Sequence, residues 1–381
     1  MKRKICFLTG TRADFGKLKP LMQAVDTAAD FECLIFATGM HMLTRYGLTV
    51  DEIYKAGFRT VHGFMNHVHG EPMELILANT ISGLSRYLHE SEPDLFLVHG
   101  DRVEALAGAI VGALRNVRVA HIEGGEVSGT VDELLRHAIT KLAHLHFVAN
   151  ESARGRIIQL GENPRSVYVI GSPEIDVMLS PRLPSLEEVQ RYYEIPFERY
   201  AIGIFHPVTT EPEPQSARAR NFAAALVESE DNFVLIHPNN DQGSDAIFEA
   251  YDQFRGNARF RMFPSMRFEY FLTLLRHARY IVGNSSTGVR EAPVYAVPSV
   301  NVGNREINRL RHESIVDVGN EKGEIIRGIA KALALDGLAP CHHFGDGKST
   351  VRFMETIRGE EFWRTPIQKQ FRDVPLAPAR A

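Results

Sequence analysis

The stretch from Gly283 to Glu291, Gly-Asn-Ser-Ser-Thr-Gly-Val-Arg-Glu, has the residue types of a phosphate-binding loop. It follows a strand-like apolar run, Ala278 to Val282, and opens a segment that can be helical as far as Pro293. Backbone N–H groups at a helix N-terminus and the hydroxyls of Ser285 and Ser286 would together hold a diphosphate. An isolated Asn-Ser-Ser has another interpretation, because Asn and Ser are common helix caps without any ligand.

Two charged residues near this loop favour a nucleotide over free phosphate. Glu291 lies five and six positions after the serines, and Arg305 follows the next strand-like run, Pro298 to Val302. A carboxylate beside a phosphate is electrostatically unfavourable unless it accepts hydrogen bonds from a sugar. We therefore expect a nucleotide, with its phosphates near Arg305 and a ribose near Glu291.

A second group of polar residues follows apolar runs in the first half of the chain. The four runs are Ile5 to Thr9, Phe31 to Thr38, Asp94 to Val98 and Arg118 to Ile122. The polar residues after them are Arg12, Asp14 and Lys17, then His41, then Asp101 and Arg102, and then Glu123. Strands that alternate with helical segments predict a parallel sheet whose polar strand ends share one edge. Arg12, Asp14 and Lys17 taken alone could equally be solvated loop charges.

Three other candidates have a structural alternative. Asp132 and Glu133 begin a helical stretch, where acids stabilise the helix N-terminus through its macrodipole, and Glu133 is assigned mostly to that role. His144 and His146 alternate along a strand, which is more often structural than a metal pair, and no third ligand is visible. We expect no metal site.

The length of 381 residues predicts two domains, each large enough to bury its own core. The Pro-rich stretch from Ser180 to Pro184 is the best boundary, and it divides the chain into residues 1–180 and 181–364. In the second part, the strand-like runs are Ala201 to Phe205, which His206 follows, and Phe233 to Ile236, which is followed by a loop that contains Asn239. The active site is expected in the cleft between the domains, and the tail 365–381 is expected to pack back onto the first domain.

Composition excludes several classes of protein. A formal charge of −4 without a basic stripe disfavours nucleic-acid binding. Three cysteines without Cys-x-x-Cys spacing argue against a disulfide framework and against a cysteine zinc site. No stretch approaches the roughly 20 apolar residues that span a bilayer, and the N-terminal apolar run is too short for a signal peptide. We expect a cytoplasmic protein that does not enter a membrane.

With these residues in view, the chain resembles the hydrolysing UDP-N-acetylglucosamine 2-epimerases of bacterial sialic acid biosynthesis. The resemblance extends over nearly the whole length. Its motifs are Thr9 to Lys17, Gly39 to His41, His99 to Arg102, His121 to Glu126, Ile170 to Pro173, Phe205 to Thr210 and Gly283 to Ser286. It implies the GT-B fold, an α/β arrangement of two doubly wound Rossmann-like domains with the active site between them.

The resemblance also implies roles for individual residues. Asp101, Glu123 and Asp132 are the acid/base candidates, with His206 and Arg102 assisting. The substrate-binding set is Arg12, Asp14, Lys17, His41, Asn239, Ser285, Ser286, Gly288, Glu291 and Arg305. The implied reaction is anti elimination of UDP to 2-acetamidoglucal and then hydration to N-acetylmannosamine, with no metal or redox cofactor. The implied partners are the UDP-sugar substrate and the UDP product, and the implied assembly is a homodimer or homotetramer.

Three alternatives stay open at the level of sequence. A hydrolysing epimerase for UDP-2,4-diacetamido-2,4,6-trideoxy-glucose, as in legionaminic acid pathways, would carry the same motifs. A GT-B glycosyltransferase is disfavoured because it needs no cluster of three carboxylates around C2 of the sugar. A non-catalytic nucleotide-sugar sensor would have little reason to keep Asp101, Glu123, Asp132 and His206 together.

Overall fold

The structure of the protein is a computed structural model that describes residues 2–208 and 215–373. Thr209 and Thr210 of the expected motif lie outside the described residues, as does the end of the predicted tail, residues 374–381. No helix within the described ranges is both long enough and apolar enough to cross a membrane.

The first domain is built on a parallel sheet with the order β3-β2-β1-β4-β5-β6-β7. Its strands are β1 Arg3–Thr9, β2 Phe31–Ala37, β3 Val61–Gly63, β4 Leu95–His99, β5 Arg118–Ile122, β6 Leu145–Val148 and β7 Val167–Val169. Alternate residues of β1 enter different cores, with Ile5 and Phe7 on one face and Cys6 and Leu8 on the other. Both faces are therefore buried, as expected for a sheet covered by helices on two sides.

The second domain repeats this topology with the order β10-β9-β8-β11-β12-β13. Its strands are β8 Ala201–Ile204, β9 Phe233–Ile236, β10 Phe260–Phe263, β11 Ile281–Gly283, β12 Ser299–Val302 and β13 Ile315–Val318. In both sheets the strand order reverses beside the first strand, between β1 and β4 in one and between β8 and β11 in the other. Ligands of open α/β sheets bind at such points, outside the carboxyl ends of the strands.

Helices occupy most of the connections between the strands. The first-domain helices are α1 Arg12–Thr27, α2 Val50–Lys55, α3 Met73–Ser91, α4 Val103–Leu114, α5 Val131–Leu142, α6 Glu151–Gln159 and α7 Pro173–Met178. The later helices are α8 Leu186–Tyr193, α9 Gln215–Glu228, α10 Ser244–Tyr251, α11 Phe268–His277, α12 Thr287–Arg290, α13 Lys322–Leu333, α14 Ser349–Arg358 and α15 Glu360–Trp363. The two-domain, doubly wound architecture predicted from the sequence is confirmed.

The return of the chain to the first domain begins earlier than expected. Phe353, Ile357 and Phe362 of α14 and α15 belong to the same core as β1, although we expected only the tail after residue 364 to return. Apolar residues on one face of α14 cause this packing. Lys369 continues the return along the first domain, because its ammonium group donates to the carbonyl of Lys141 at 2.8 Å. The division at residues 180 and 181 stays a prediction.

The chain therefore passes between the domains twice, once between α7 and α8 and once between α13 and α14. The two crossings touch each other. The backbone N–H of Ser172, just before α7, donates to the carbonyl of Phe344 at 2.7 Å, and a Cβ added to Gly347 would lie 3.1 Å from Cδ1 of Leu179, just after α7.

Candidate active site

A cavity of about 310 Å³ lies between the carboxyl ends of the two sheets. Every predicted site residue except His41 and Gly288 lines it. The residues that the structure brings together there are Arg12, Asp14, Lys17, Asp101, Arg102, Glu123, Asp132, His206, Asn239, Ser285, Ser286, Glu291 and Arg305. Most of them follow a strand directly, which is why two distant halves of the chain meet at one place.

His41 and Gly288 lie behind this cavity and not on its surface. His41 is fully buried, and its ring bonds Thr9 Oγ1 at 3.1 Å and Thr49 Oγ1 at 2.7 Å. Burial lowers the pKa of His41 to about 4, so the ring is neutral. A Cβ added to Gly288 would lie 2.5 Å from Ser299 Oγ, which indicates that this glycine lets the loop pack against β12. In this structure both residues support the loops that carry the site.

The serine loop after β11 differs from its prediction in one respect. In the structure, the helix that we expected to extend to Pro293 is only a single turn, Thr287–Arg290. A 3₁₀ turn at Ala292–Tyr295, which contains Pro293, follows it. Such a short helix has a small dipole, so the positive charge at this end of the cavity comes mainly from arginine side chains. Gly283 fixes where the loop starts, because its φ is +140° and a Cβ there would lie 1.8 Å from the Ile204 carbonyl oxygen.

His206 offers one N–H to the cavity. The backbone N–H of Asn239 donates to its Nδ1 at 3.1 Å, and because a backbone N–H can only donate, Nδ1 carries no proton. Burial, together with Arg305 and Arg102, holds the pKa of His206 well below its usual range. The ring is therefore neutral with its proton on Nε2, a hydrogen-bond donor suited to a phosphate oxygen.

Asp101 and Asp132 differ in their affinity for a proton. Burial opposes the ionisation of Asp101, but Arg136 and then Arg309 and Arg305 outweigh it and hold the pKa of Asp101 at about 2. The pKa of Asp132 is raised, first by burial and also by the charge of Asp101, against the opposing effect of Arg305. Arg305 Nη2 contacts Asp132 Oδ2 at 3.1 Å and so connects the second domain to this carboxylate.

Glu123 is held by donors from several elements. Its Oε1 accepts a hydrogen bond from Ser172 Oγ at 2.7 Å and from Arg290 Nη2 at 2.8 Å. His99 Nε2 lies 3.3 Å from the same oxygen as an ion-pair contact that is not aligned as a hydrogen bond, and His99 Nδ1 lies 2.6 Å from Asp14 Oδ1. Burial lowers the pKa of His99, but Glu123 and Asp14 outweigh it and raise that pKa to about 10.

Three charged side chains of this cavity had no role assigned from the sequence. They are His99, Arg290 and Arg309. His99 begins the motif His99 to Arg102, Arg290 directly precedes Glu291, and Arg309 lies four positions after Arg305. The signal available in the sequence was thus closeness to a residue already assigned to the site. Such closeness does not show which neighbouring side chain faces the cleft.

Comparison with known proteins places these residues in a family context. A family model described as UDP-N-acetylglucosamine 2-epimerase matches residues 23–358. The UDP-N-acetylglucosamine 2-epimerase of Neisseria meningitidis serogroup B is 48% identical over 379 residues, which are 99% of this chain and 100% of that protein. The UDP-N,N'-diacetylbacillosamine 2-epimerase (hydrolyzing) of Legionella pneumophila is 32% identical, over 94% of this chain and 96% of that protein.

A solved structure shows the same fold. The crystal structure of Methanocaldococcus jannaschii UDP-GlcNAc 2-epimerase, in complex with UDP-GlcNAc and UDP, matches with a TM-score of 0.81 and 20% identity. The match covers 93% of this chain and 99% of that one. At this identity the comparison establishes the GT-B architecture.

Proposed function

Because this chain belongs to the UDP-N-acetylglucosamine 2-epimerase family, we propose that it is the hydrolysing enzyme, which converts UDP-N-acetylglucosamine and water to N-acetylmannosamine and UDP for sialic acid biosynthesis. One observation carries the proposal furthest. Two carboxylates of the cavity have pKa values moved in opposite directions, and such pairs are typical of proton-transfer sites. The hydrolysing relative from Legionella, similar over nearly its full length, supports the same chemistry.

UDP would bind on the second domain. Ser285 and Ser286 supply hydroxyl donors, Arg305 supplies charge, and His206 supplies its Nε2–H. Arg12 reaches the same cavity from the first domain. These donors match the charge of the diphosphate, and they would stabilise UDP further as it leaves with an added negative charge. Glu291, now paired with Lys17 at 2.9 Å, would accept from the ribose hydroxyls, since its Oε2 has no partner among the described residues.

In the elimination step a carboxylate takes the proton from C2. The C2–H electrons form the C1=C2 bond, and the C1–O bond breaks with its electrons leaving on UDP. Among the three predicted carboxylates Asp132 is the strongest base, because its pKa is raised whereas those of Asp101 and Glu123 are lowered. We assign the C2 proton to Asp132.

In the hydration step water adds to C1 of 2-acetamidoglucal and a proton is delivered to the opposite face of C2. The new C2 configuration gives N-acetylmannosamine. Asp101, ionised and held by the fully buried Arg136, keeps its charge through both steps and would orient the water or the sugar. The residues 1–180 and 181–364 would supply the carboxylates and the nucleotide site respectively.

The test is proton NMR of the reaction with UDP-N-acetylglucosamine in D₂O. We expect free N-acetylmannosamine that carries deuterium at C2, together with UDP. UDP-N-acetylmannosamine without free sugar would identify a non-hydrolysing epimerase, and retained C2 hydrogen would exclude the elimination route. UDP binding without any product would identify a sensor, and a requirement for a sugar acceptor would identify a glycosyltransferase.

One further substrate is favoured by a specific observation. The Legionella relative is described as acting on UDP-N,N'-diacetylbacillosamine, which is the 2,4-diacetamido-2,4,6-trideoxy sugar of the alternative hypothesis. Turnover of that compound at a higher kcat/KM than UDP-N-acetylglucosamine would replace our assignment. Assembly as a homodimer or homotetramer is also a proposal, which light scattering would test.

A further inference from the structure

Arg290 is the residue that joins the nucleotide loop to the carboxylates of the first domain. It lies at the end of α12, four positions after Ser286, and its side chain is 1% exposed. Its Nη2 donates to Ser172 Oγ at 2.6 Å and to Glu123 at 2.8 Å, and its Nε donates to Glu174 at 3.1 Å. The guanidinium also lies 4.4 Å from the ring centroid of Phe344, in the second crossing between the domains.

The contacts of Glu123 are one-sided. Within the described residues, the hydrogen bonds and ion pairs of its side chain all reach Oε1, from Ser172, Arg290 and His99. Glu123 itself lines the cavity, so Oε2 is the oxygen that remains for a substrate. A carboxylate with one oxygen bound by two hydrogen-bond donors and facing the His99 ring is fixed in orientation and presents a single acceptor to the sugar.

The backbone at Glu123 adds a second sign of constraint. Its φ is +64°, a strained conformation for a non-glycine residue that persists only when the surroundings hold it. The backbone N–H of Glu123 donates to the Phe147 carbonyl at 3.0 Å, and the contacts with Arg290 and Ser172 hold its side chain. Arg290 therefore acts on the direction of the Glu123 carboxylate as well as on its charge.

From these contacts we propose that Arg290 is a positioning residue, which orients Glu123 as a fixed anion toward the sugar and makes that orientation depend on the nucleotide loop. This goes beyond the proposed function and rests on it only for the activity measurements. Arg290 ends the single helical turn that the serines precede, and its backbone N–H donates to the Ser286 carbonyl at 2.8 Å. A diphosphate bound at the serines and the carboxylate near the sugar are therefore mechanically linked.

The charged groups around Glu123 determine what loss of Arg290 would do. Those that face it are Lys17 from α1, His99 from the end of β4, Glu126 from its own loop, Glu174 from α7 and Arg290 from α12. Burial opposes ionisation of Glu123, while Arg290, His99 and Lys17 together hold its pKa well below the usual range. Without Arg290, burial and the two neighbouring glutamates would raise that pKa, so Glu123 would lose its charge at a higher pH.

The experiment compares Arg290→Met, Arg290→Lys, Glu123→Gln and the double variant Glu123→Gln/Arg290→Met. UDP release from UDP-N-acetylglucosamine is measured between pH 5 and pH 9, and UDP affinity is measured by calorimetry. We expect Arg290→Met to lower kcat by roughly 10²-fold, the lower end of what a positioned acid or base contributes. Because protonation of Glu123 would then also stop turnover, the acid limb of kcat that Asp132 sets in the wild type should become steeper and move upward in pH. Arg290→Lys should restore the wild-type position of the acid limb but not the full kcat, since lysine keeps the positive charge but lacks the planar guanidinium that donates to two acceptors at once.

Two comparisons separate positioning from mere stability. In the Glu123→Gln background, Arg290→Met should no longer move the acid limb. Arg279→Met is the matched control, because Arg279 pairs with Asp231 in the second domain, away from the cavity, and it should leave the pH profile unchanged. An unshifted profile for Arg290→Met, or an equal shift in the Glu123→Gln background, would overturn the proposal.

A measurement without substrate keeps this result distinct from a failure of the proposed function. Thermal unfolding of the wild type, Arg290→Met, Glu123→Gln and the double variant gives a double-mutant cycle. We expect coupling between positions 290 and 123 that weakens as the pH falls and Glu123 takes up a proton. If the wild-type protein released no UDP, the proposed function would fail while this cycle still tested the contact. Additive melting shifts at all pH values would overturn the positioning role.

Discussion

Asp101 and Asp132 show how the same residue type acquires different chemistry within one cavity. Asp101 is bound by the fully buried Arg136, whereas Asp132 has a single arginine, Arg305, and suffers the charge of Asp101. Opposite charge lowers a carboxyl pKa, and burial and like charge raise it. Asp132 is thus the group whose protonation changes most easily, and the rate should depend on it.

We predict that Asp132→Asn lowers kcat by about 10²–10⁴-fold, because the amide cannot accept the C2 proton. The base must be ionised, so wild-type activity should fall as the pH drops through the raised pKa of Asp132, above the usual aspartate value of about 3.9. Glu133→Gln is the control, since Glu133 accepts from the Ser128 N–H at 2.7 Å as a local support. Wild-type turnover in Asp132→Asn would remove it from the mechanism.

We predict that Ser286→Ala and Arg305→Ala each weaken UDP binding by roughly 1.5–3 kcal/mol, because each removes a donor to a charged phosphate. Isothermal calorimetry with UDP measures this directly. Ser229→Ala should bind UDP as the wild type does, since its hydroxyl donates to the Leu226 carbonyl within the second domain. Unchanged affinity in both site variants would locate the nucleotide elsewhere.

Residue types and their order along the chain predicted which loops form the site, but not the direction of every side chain. Asp101, Glu123 and Ser285 directly follow or closely follow predicted strands, and all three line the cavity. His41 also follows a strand, yet its ring turns inward to two threonines. Arg290 was adjacent to a chosen residue, but its partners Glu123 and Glu174 are more than a hundred positions away, and no local pattern encodes such contacts.

At the scale of elements, central strands were easier to predict than edge strands. β5 Arg118–Ile122 and β9 Phe233–Ile236 were predicted with the bounds that the structure has. The missed strands β3, β10 and β13 are all edges of their sheets and only partly buried. An edge strand needs few apolar residues, so it lacks the continuous apolar run that identified the others.

We predict that Phe362→Ala in α15 destabilises the protein by about 3–5 kcal/mol, because it leaves a cavity in the first core. Phe362 is 2% exposed and stacks on Phe147 at 5.9 Å between ring centroids. Phe371→Ala is a control of the same residue type, since Phe371 is 92% exposed and should change nothing measurable. Equal denaturation midpoints for the two variants would contradict the packing of the returning helices.

At the scale of the whole molecule, ion pairs bridge the cleft between the domains. Lys17 contacts Glu291 at 2.9 Å, and Arg102 contacts Asp241 at 3.0 Å. Closer to the surface, Lys19 contacts Glu269 at 2.6 Å. Arginines also approach the diphosphate position from both domains, and without the anion they repel one another. The bound diphosphate should therefore favour closure.

We predict that UDP reduces the radius of gyration in small-angle scattering, and that raising the salt concentration expands the free protein more than the UDP complex. Salt screens partly exposed pairs such as Lys19–Glu269 more than buried ones. Uridine, which lacks the phosphates, is the matched ligand control and should cause no contraction. Identical scattering in all three states would mean that the two domains do not move as separate bodies.

The two crossings between the domains, which contact each other at Leu179 and Gly347, limit how such a motion can occur. In topology the second domain is an insertion into the first. The two adjacent crossings connect them and can act as hinges. Rotation about the line through both hinges is easy, whereas sliding or free swivelling would have to stretch one crossing against the other. Opening and closing should therefore follow a single rotation of the second domain. After every release of product, this rotation should return the serine loop to the same position beside the carboxylates.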